Sequence, residues 1–160
     1  MRRTRLSGLV FLGVLVTLTP LVASSDRRPV PLPERVRGAS RVVVATVAET
    51  TARYERNDFG DELIVTYARL AVEESVKGAA GPATLALEGG TVDGITMRVS
   101  SLPTLARGER AVFFLTPGRN GEFRPHLRGQ GILKLDSIDH VRGSSLSLGE
   151  IRRLARSNSK

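Results

Sequence analysis

The run RVVVATVAETTARYERNDFGDELIVTYARLAVEESVKG, residues 41 to 78, decides the fold. Its first half, Arg41 to Glu55, is rich in β-branched residues and holds no helix breaker. Its second half, Asp61 to Gly78, carries Ile64, Val65, Tyr67, Leu70 and Val72, so apolar residues fall at both parities. Between them Glu55-Arg56-Asn57-Asp58-Phe59-Gly60-Asp61 is a cluster of turn formers. Two β-prone runs joined by such a cluster predict a hairpin. A strand buried on one face alternates apolar and polar residues. Apolar side chains on both faces over part of the length suit strands curling round a closed barrel better than a one-sided sheet.

Downstream the punctuation continues. After the loop Ala79-Ala80-Gly81-Pro82, Ala83 to Glu88 predicts a third strand. Gly89-Gly90 and Asp93-Gly94 supply the backbone freedom of a turn or bulge. Ile95 to Val99 predicts a fourth strand, Pro103 interrupts the pairing, and Gly108-Glu109 turns the chain into Ala111 to Leu115. That AVFFL run is the most apolar beyond the N-terminal region and is the expected central strand. Gly118 to Glu122 predicts a tight turn, and Phe123 to Leu127 and Gly131 to Asp136 predict later strands. At the C-terminus the period changes. Leu148, Ile151, Leu154 and Ala155 share one helical face, and Arg152, Arg153 and Arg156 lie on the other. Ser147 and Glu150 have capping-box spacing. A helix over 147–156 is predicted to close one face or end of the barrel. A basic amphipathic helix lying on a membrane is the competing reading.

The N-terminus has a basic start (Arg2, Arg3, Arg5), an apolar stretch from Leu6 to Leu18, then Pro20 and the small residues Ala23, Ser24 and Ser25. This is the three-part pattern of a signal peptide, expected over residues 1–24. The apolar stretch is too short for a spanning anchor, which needs roughly 20 apolar residues. No stable membrane insertion is expected after cleavage. Removing 24 of the 160 residues leaves 136, one domain in size. Residues 25–39, with Pro29, Pro31 and Pro33, are expected to be an extended linker, and 40–160 the folded domain. The chain has no cysteine, which points away from disulfide-stapled extracellular scaffolds and toward a secreted or periplasmic bacterial protein. The formal charge is +8, and +5 once Arg2, Arg3 and Arg5 are removed. The remaining arginines are scattered rather than clustered, as on a solvated surface.

Little chemistry can be assembled from these residues. Without cysteine there is no thiol nucleophile and no thiolate metal site. His126 and His140 are the only histidines, and neither has zinc-ligand spacing. Neither a G-x-S-x-G elbow nor a phosphate-binding G-x-x-x-x-G-K-[ST] is present. Asn57, Asp58, Asp61 and Glu62 lack EF-hand spacing and read as a solvated turn rather than a cation site. The aromatics outside the leader (Tyr54, Phe59, Tyr67, Phe113, Phe114 and Phe123) are too few and too core-like for a base-stacking platform. No metal, no cofactor, no catalytic residue and no nucleic-acid partner is expected. Phe59 stands out, because turn formers surround it at a hairpin tip. It is either exposed there or folded back as a plug on the barrel end.

Several segments resemble the netrin-like domains, the group that includes the tissue inhibitors of metalloproteinases. Val72 to Gly78 resembles that family's V-x-x-V-x-K-G segment, and Gly108-Glu109 with Val112, Phe113 and Leu115 resembles its G-E-x-Y-L-V-F strand. The stretch GGTVDGITMRVSSLPTLARGERAVFFL is most similar to cysteine-free secreted bacterial forms, and the likeness covers about residues 40 to 136. It implies a mostly β fold: a small OB-like closed or partly open barrel with a C-terminal helix. The animal inhibitors place an N-terminal disulfide-bonded cysteine on a protease's zinc, which this chain cannot do. What the resemblance carries over is a binding surface at the first hairpin tip, here Asn57, Asp58, Phe59, Gly60 and Asp61. The expected function is a secreted or periplasmic non-enzymatic protein-binding module. Its expected partner is an extracellular or periplasmic protein, with a protease as the class the family suggests. The alternative is an envelope structural protein that holds polysaccharide or anionic lipid through its arginines.

Overall fold

The computed structural model describes residues 29–57 and 59–157. The expected leader, Ser25 to Arg28, Asp58 and the last three residues lie outside them. In chain order the elements are α1 (Leu32–Gly38), β1 (Arg41–Arg56), β2 (Glu62–Lys77), β3 (Ala83–Glu88), β4 (Gly90–Val92), β5 (Ile95–Met97), β6 (Arg110–Pro117), β7 (Phe123–Pro125), a 3-10 turn (Arg128–Gly131), β8 (Ile132–Lys134) and α2 (Leu148–Ser157). The chain is thus mostly β with a helix at its C-terminal end. Among the described residues no helix is long and apolar enough to cross a membrane.

Pairing runs round a ring. β1 pairs β2, β2 pairs β3, and β6 pairs both β7 and β1, all antiparallel. One parallel contact, Leu85↔Phe123, joins β3 to β7. β8 shares the second edge of β6 with β7, facing Ala111 to Phe113. The expected central strand is therefore central: every residue from Ala111 to Leu115 is buried, including both phenylalanines.

Alternation explains why these strands are apolar on both faces. Val43, Ala45, Val47, Leu70, Leu85, Phe113 and Leu115 form the core inside the ring. Their neighbours Val42, Val44, Val112 and Phe114 point outward, into a second core with Val36, Leu148, Ile151 and Ala155 from the two helices. Each fully buried side chain of this size contributes about 1.5–3 kcal/mol. Ser147 caps α2, its Oγ accepting from Glu150 N–H at 3.3 Å and its own N–H donating to Glu150 Oε2 at 2.8 Å. The apolar face of α2 is thereby spent on the sheet, and Arg152 chelates Glu74 of β2 with Nε–Oε2 at 2.8 Å and Nη2–Oε2 at 2.6 Å.

The lead-in corrects an expectation. Residues 32–38 of the segment expected to be an extended linker form α1. Prolines suggest a linker, but Pro31 is the N-cap and Pro33 lies in the first turn, where a missing N–H costs nothing. Val36 then drops into the outer core, and Arg35 ties the segment down by donating to the carbonyls of Val30 (2.6 Å) and Gln130 (3.0 Å). A second correction concerns Ile95 to Val99. Only Ile95–Met97 is a strand, and it pairs with the unforeseen β4 across Asp93-Gly94. Asp93 (φ 50) and Gly94 (φ 79) make a two-residue turn with both central residues left-handed, which suits a hairpin of normal twist.

At the start of β1, Arg41 turns into the end of the ring and is only 5% exposed. Its guanidinium donates to the carbonyls of Gly81 and Pro82 and lies 5.5 Å from the centre of the Phe123 ring. Burial pushes its pKa below the ordinary arginine value.

Candidate functional site

The β1–β2 tip is built by one side chain. Asn57 Oδ1 accepts from the N–H groups of Phe59 and Asp61, each at 2.9 Å, and Asn57 Nδ2 donates to Asp61 Oδ2 at 3.0 Å. Asn57 N–H donates to Asp61 O at 2.9 Å, and Gly60, at φ 87, closes the turn by donating to Asn57 O at 3.1 Å. Asparagine is the residue for this task because its short amide satisfies backbone two and four residues on. The result is a braced turn on which Phe59 is 90% exposed, so it does not fold back as a plug. Of the five residues expected at the site, Asn57, Phe59, Gly60 and Asp61 therefore sit together at the tip; Asp58 lies outside the described residues.

Beside the tip lies a groove of about 290 Å³ between β2 and the β6–β7 turn, with Leu63, Val65, Glu88, Glu122 and Arg124 among its walls. Glu122 holds that turn in shape. Its carboxylate accepts from Arg119 N–H at 3.0 Å and Asn120 N–H at 2.8 Å. Burial pushes this carboxyl up, but the backbone donors and nearby Arg124 outweigh it and hold its pKa below the ordinary range. On the same face of the ribbon, Tyr67 donates to Glu55, Arg53 bonds Glu55 at 2.8 Å, and Arg53 lies 4.4 Å above the Tyr67 ring. The tyrosine bond, then Arg53, lowers the Glu55 pKa, although desolvation opposes it. Burial, then the Glu55 hydrogen bond, raises that of Tyr67. This triad is closed on itself.

The two segments that carried the netrin-like resemblance occupy structural positions. Lys77 Nζ donates to the carbonyls of Val36 (2.7 Å), Arg37 (3.1 Å) and Ala39 (2.6 Å), capping α1 and tying it to β2. Gly78 follows at φ 80, where a Cβ would lie 2.7 Å from Ser40 O. Gly108 (φ 84) donates to Val47 O and Val47 donates to Glu109 O, both at 2.8 Å, where β6 parts from β1. The Glu109 carboxylate receives Lys134 Nζ at 2.8 Å and Ala106 N–H at 2.8 Å. Neither segment reaches the tip.

The groove residues beyond the tip were missed by sequence reading. Leu63 and Val65 lie on β2, Glu88 ends β3, and Arg124 is the middle of a three-residue strand, so no spacing links them. Among the described residues, no three histidine or carboxylate side chains converge as a metal site would require. No protein-family model matches this chain, and no curated protein aligns with it significantly.

Proposed function

We propose that the chain is a secreted or periplasmic, non-catalytic protein-binding module that presents the β1–β2 tip to a partner protein. One observation carries this reading: Phe59, an aromatic side chain 90% exposed on a turn that Asn57 braces with two backbone hydrogen bonds. Keeping a phenylalanine in water costs solubility, and a rigid exposed aromatic loses little entropy when a partner covers it. We further read the ring as an OB-like barrel of the netrin-like kind. The order β1-β2-β3-β7-β6 returning to β1, with one parallel closure, supports it.

The test uses residues 25–160 immobilised against the extracellular and periplasmic proteins of a source cell. A protein retained by the wild type and lost with Phe59→Ala supports the module, and a protease in that fraction would extend the family likeness to its partner. Retention of cell-wall polysaccharide or anionic vesicles alone, unchanged in Phe59→Ala, would replace the reading with that of an envelope structural protein. Mass spectrometry of the native protein checks export: the expected first residue falls between Ser24 and Asp26, and an intact Met1 on a membrane-bound chain would overturn it.

A further inference from the structure

β1 has a neighbour on both edges only as far as Val47. Over Arg41 to Thr46 the edge away from β2 pairs β6, and Val47 closes it against the Gly108-Glu109 turn. From Glu49 to Arg56 the strand pairs β2 alone, and β4 pairs only β5. The tip fixes which backbone groups face outward. Asn57 N–H donates to Asp61 O, so in the regular ladder before it Glu49, Thr51, Arg53 and Glu55 are the residues bonded to β2. The N–H and C=O groups of Thr50, Ala52, Tyr54 and Arg56 therefore point to the open edge, where no described backbone group meets them.

Native strands shield such an edge with proline, a bulge or a short length. This stretch has no proline, and all three register shifts come before Thr50. What it does carry is charge, at Glu49, Arg53, Glu55 and Arg56, and that charge selects what can lie beside it.

We propose that this edge pairs with the same edge of a second copy of the chain, antiparallel about a two-fold axis at Tyr54. An axis perpendicular to the sheet sets residues opposite one another at equal distances on either side of the axial residue. It cannot lie before Ala52, because Arg56 of one copy would then meet a stretch of the other that the Gly108-Glu109 turn and β6 already cover. Like charges directly opposite are destabilising. An axis at Ala52 sets Glu49 against Glu55, and one at Arg53, Glu55 or Arg56 sets that residue against itself. Only the axis at Tyr54 places Arg53 of each copy opposite Glu55 of the other. Arg53 and Glu55 already bridge at 2.8 Å within one chain, so the four groups close a ring of alternating sign. The outward groups match as well. Tyr54 faces its equivalent and Ala52 faces Arg56 on either side, giving about six backbone hydrogen bonds. Tyr54, 39% exposed in the single chain, gains a cross-strand aromatic partner. The inference goes beyond the protein-binding reading and does not depend on what Phe59 contacts.

Sedimentation velocity of the mature chain over a rising concentration series tests it, with a concentration-dependent dimer expected. Tyr54→Pro removes an outward N–H and leaves every β1–β2 bond in place, so it should give a monomer with unchanged circular dichroism. Glu55→Arg and Arg53→Glu each set like charges opposite on both sides of the axis and should raise the dimer Kd about tenfold or more. Mixing these two variants sets Arg opposite Glu at both positions, and the dimer should return as a heterodimer. A chain that stays monomeric throughout, or a dimer that survives Tyr54→Pro, would overturn the inference. Charge variants that dimerise as the parent does, or a mixture no better than either alone, would overturn the axis at Tyr54 and the inference with it.

Discussion

β1 and β2 are each sixteen residues long, and their two halves meet opposite fates. In the proximal half, Val42 to Val47 pairs with β2 on one edge and meets β6 or the Gly108-Glu109 turn on the other. Its side chains enter one core inside the ring and another beneath the helices. In the distal half, Glu49 to Arg56 pairs with β2 alone, and Glu49–Arg69 and Arg53–Glu55 face solvent. Exposed pairs of this kind contribute about 0–1 kcal/mol each. All three register shifts lie in or at the end of the proximal half, between Val42/Val43, Val44/Ala45 and Val47/Glu49, and beyond them the ladder is regular. Bulges bend and twist a strand. The proximal half coils to fit the ring, and the distal half runs straight out to the tip. Stability is concentrated at one end of a single hairpin, and the exposed Phe59 stands at the other.

Substitutions at the two ends should therefore separate cleanly. Phe114→Ala empties the outer core under both helices and should cost about 4 kcal/mol, read as a lowered urea midpoint. A loss under about 1 kcal/mol would mean that the helices are not held by that core. Gly90→Ala probes a covered part of the distal half, beside the buried Ile64. Gly90 is at φ 136, and a Cβ there would collide with Thr66 Oγ1 and lie 3.2 Å from Ala52 Cβ. The β4–β5 hairpin must lift off the ribbon, at a cost of about 2 kcal/mol or more in thermal unfolding. Unchanged stability with lost partner binding would make that loop a recognition element.

Smaller effects sharpen the contrast. Lys77→Met keeps the aliphatic stem and removes the cation that caps α1. It should cost about 2 kcal/mol and speed amide exchange across residues 32–38, leaving the tip unaffected. Acidification should act on the proximal end too. His126 packs against Gly38, and burial first, then Lys77, lowers its pKa below the ordinary value. The unfolded chain binds that proton more tightly, so the contribution of His126 to stability is present above about pH 6.5 and is lost as the pH falls below it. His126→Gln should flatten this part of the pH–stability curve, and an unaltered curve would exclude the histidine as its source. The smallest effect on folding belongs to Phe59→Ala. It should change stability by less than about 0.5 kcal/mol while weakening partner capture by about 2 kcal/mol, roughly thirtyfold. A large fall in melting temperature would take the tip out of the site.

Much of this was legible in the chain. The long strands announced themselves through β-branched residues and turn clusters, and the α2 cap through the spacing of Ser147 and Glu150, which set its first turn at Leu148. β4 was not legible, because Gly90-Thr91-Val92 is too short to show a period and follows a glycine, and it becomes a strand only when the Asp93-Gly94 turn folds Ile95–Met97 onto it. α1 was misread because prolines at a helix start and in a linker look alike, and Val36 alone shows no periodicity. At the candidate site the tip could be read and the groove beside it could not. Asn57 to Asp61 are neighbours in sequence, whereas Val65, Glu88 and Arg124 come from β2, β3 and β7.

By itself the sequence determined the local matters: where strands and turns fall, which strand is the most apolar, and that a lone phenylalanine sits among turn formers. Those depend on propensity and spacing within a few residues. The tertiary structure alone decided which residues meet. It sent Val42 and Val43 into different cores, gave Lys77 the end of α1, set Arg124 beside Glu122, and parted β3 from β7 after one pair. Each of those outcomes depends on contacts between segments distant in the chain, and such contacts are set by how the ring closes rather than by any residue's own preference.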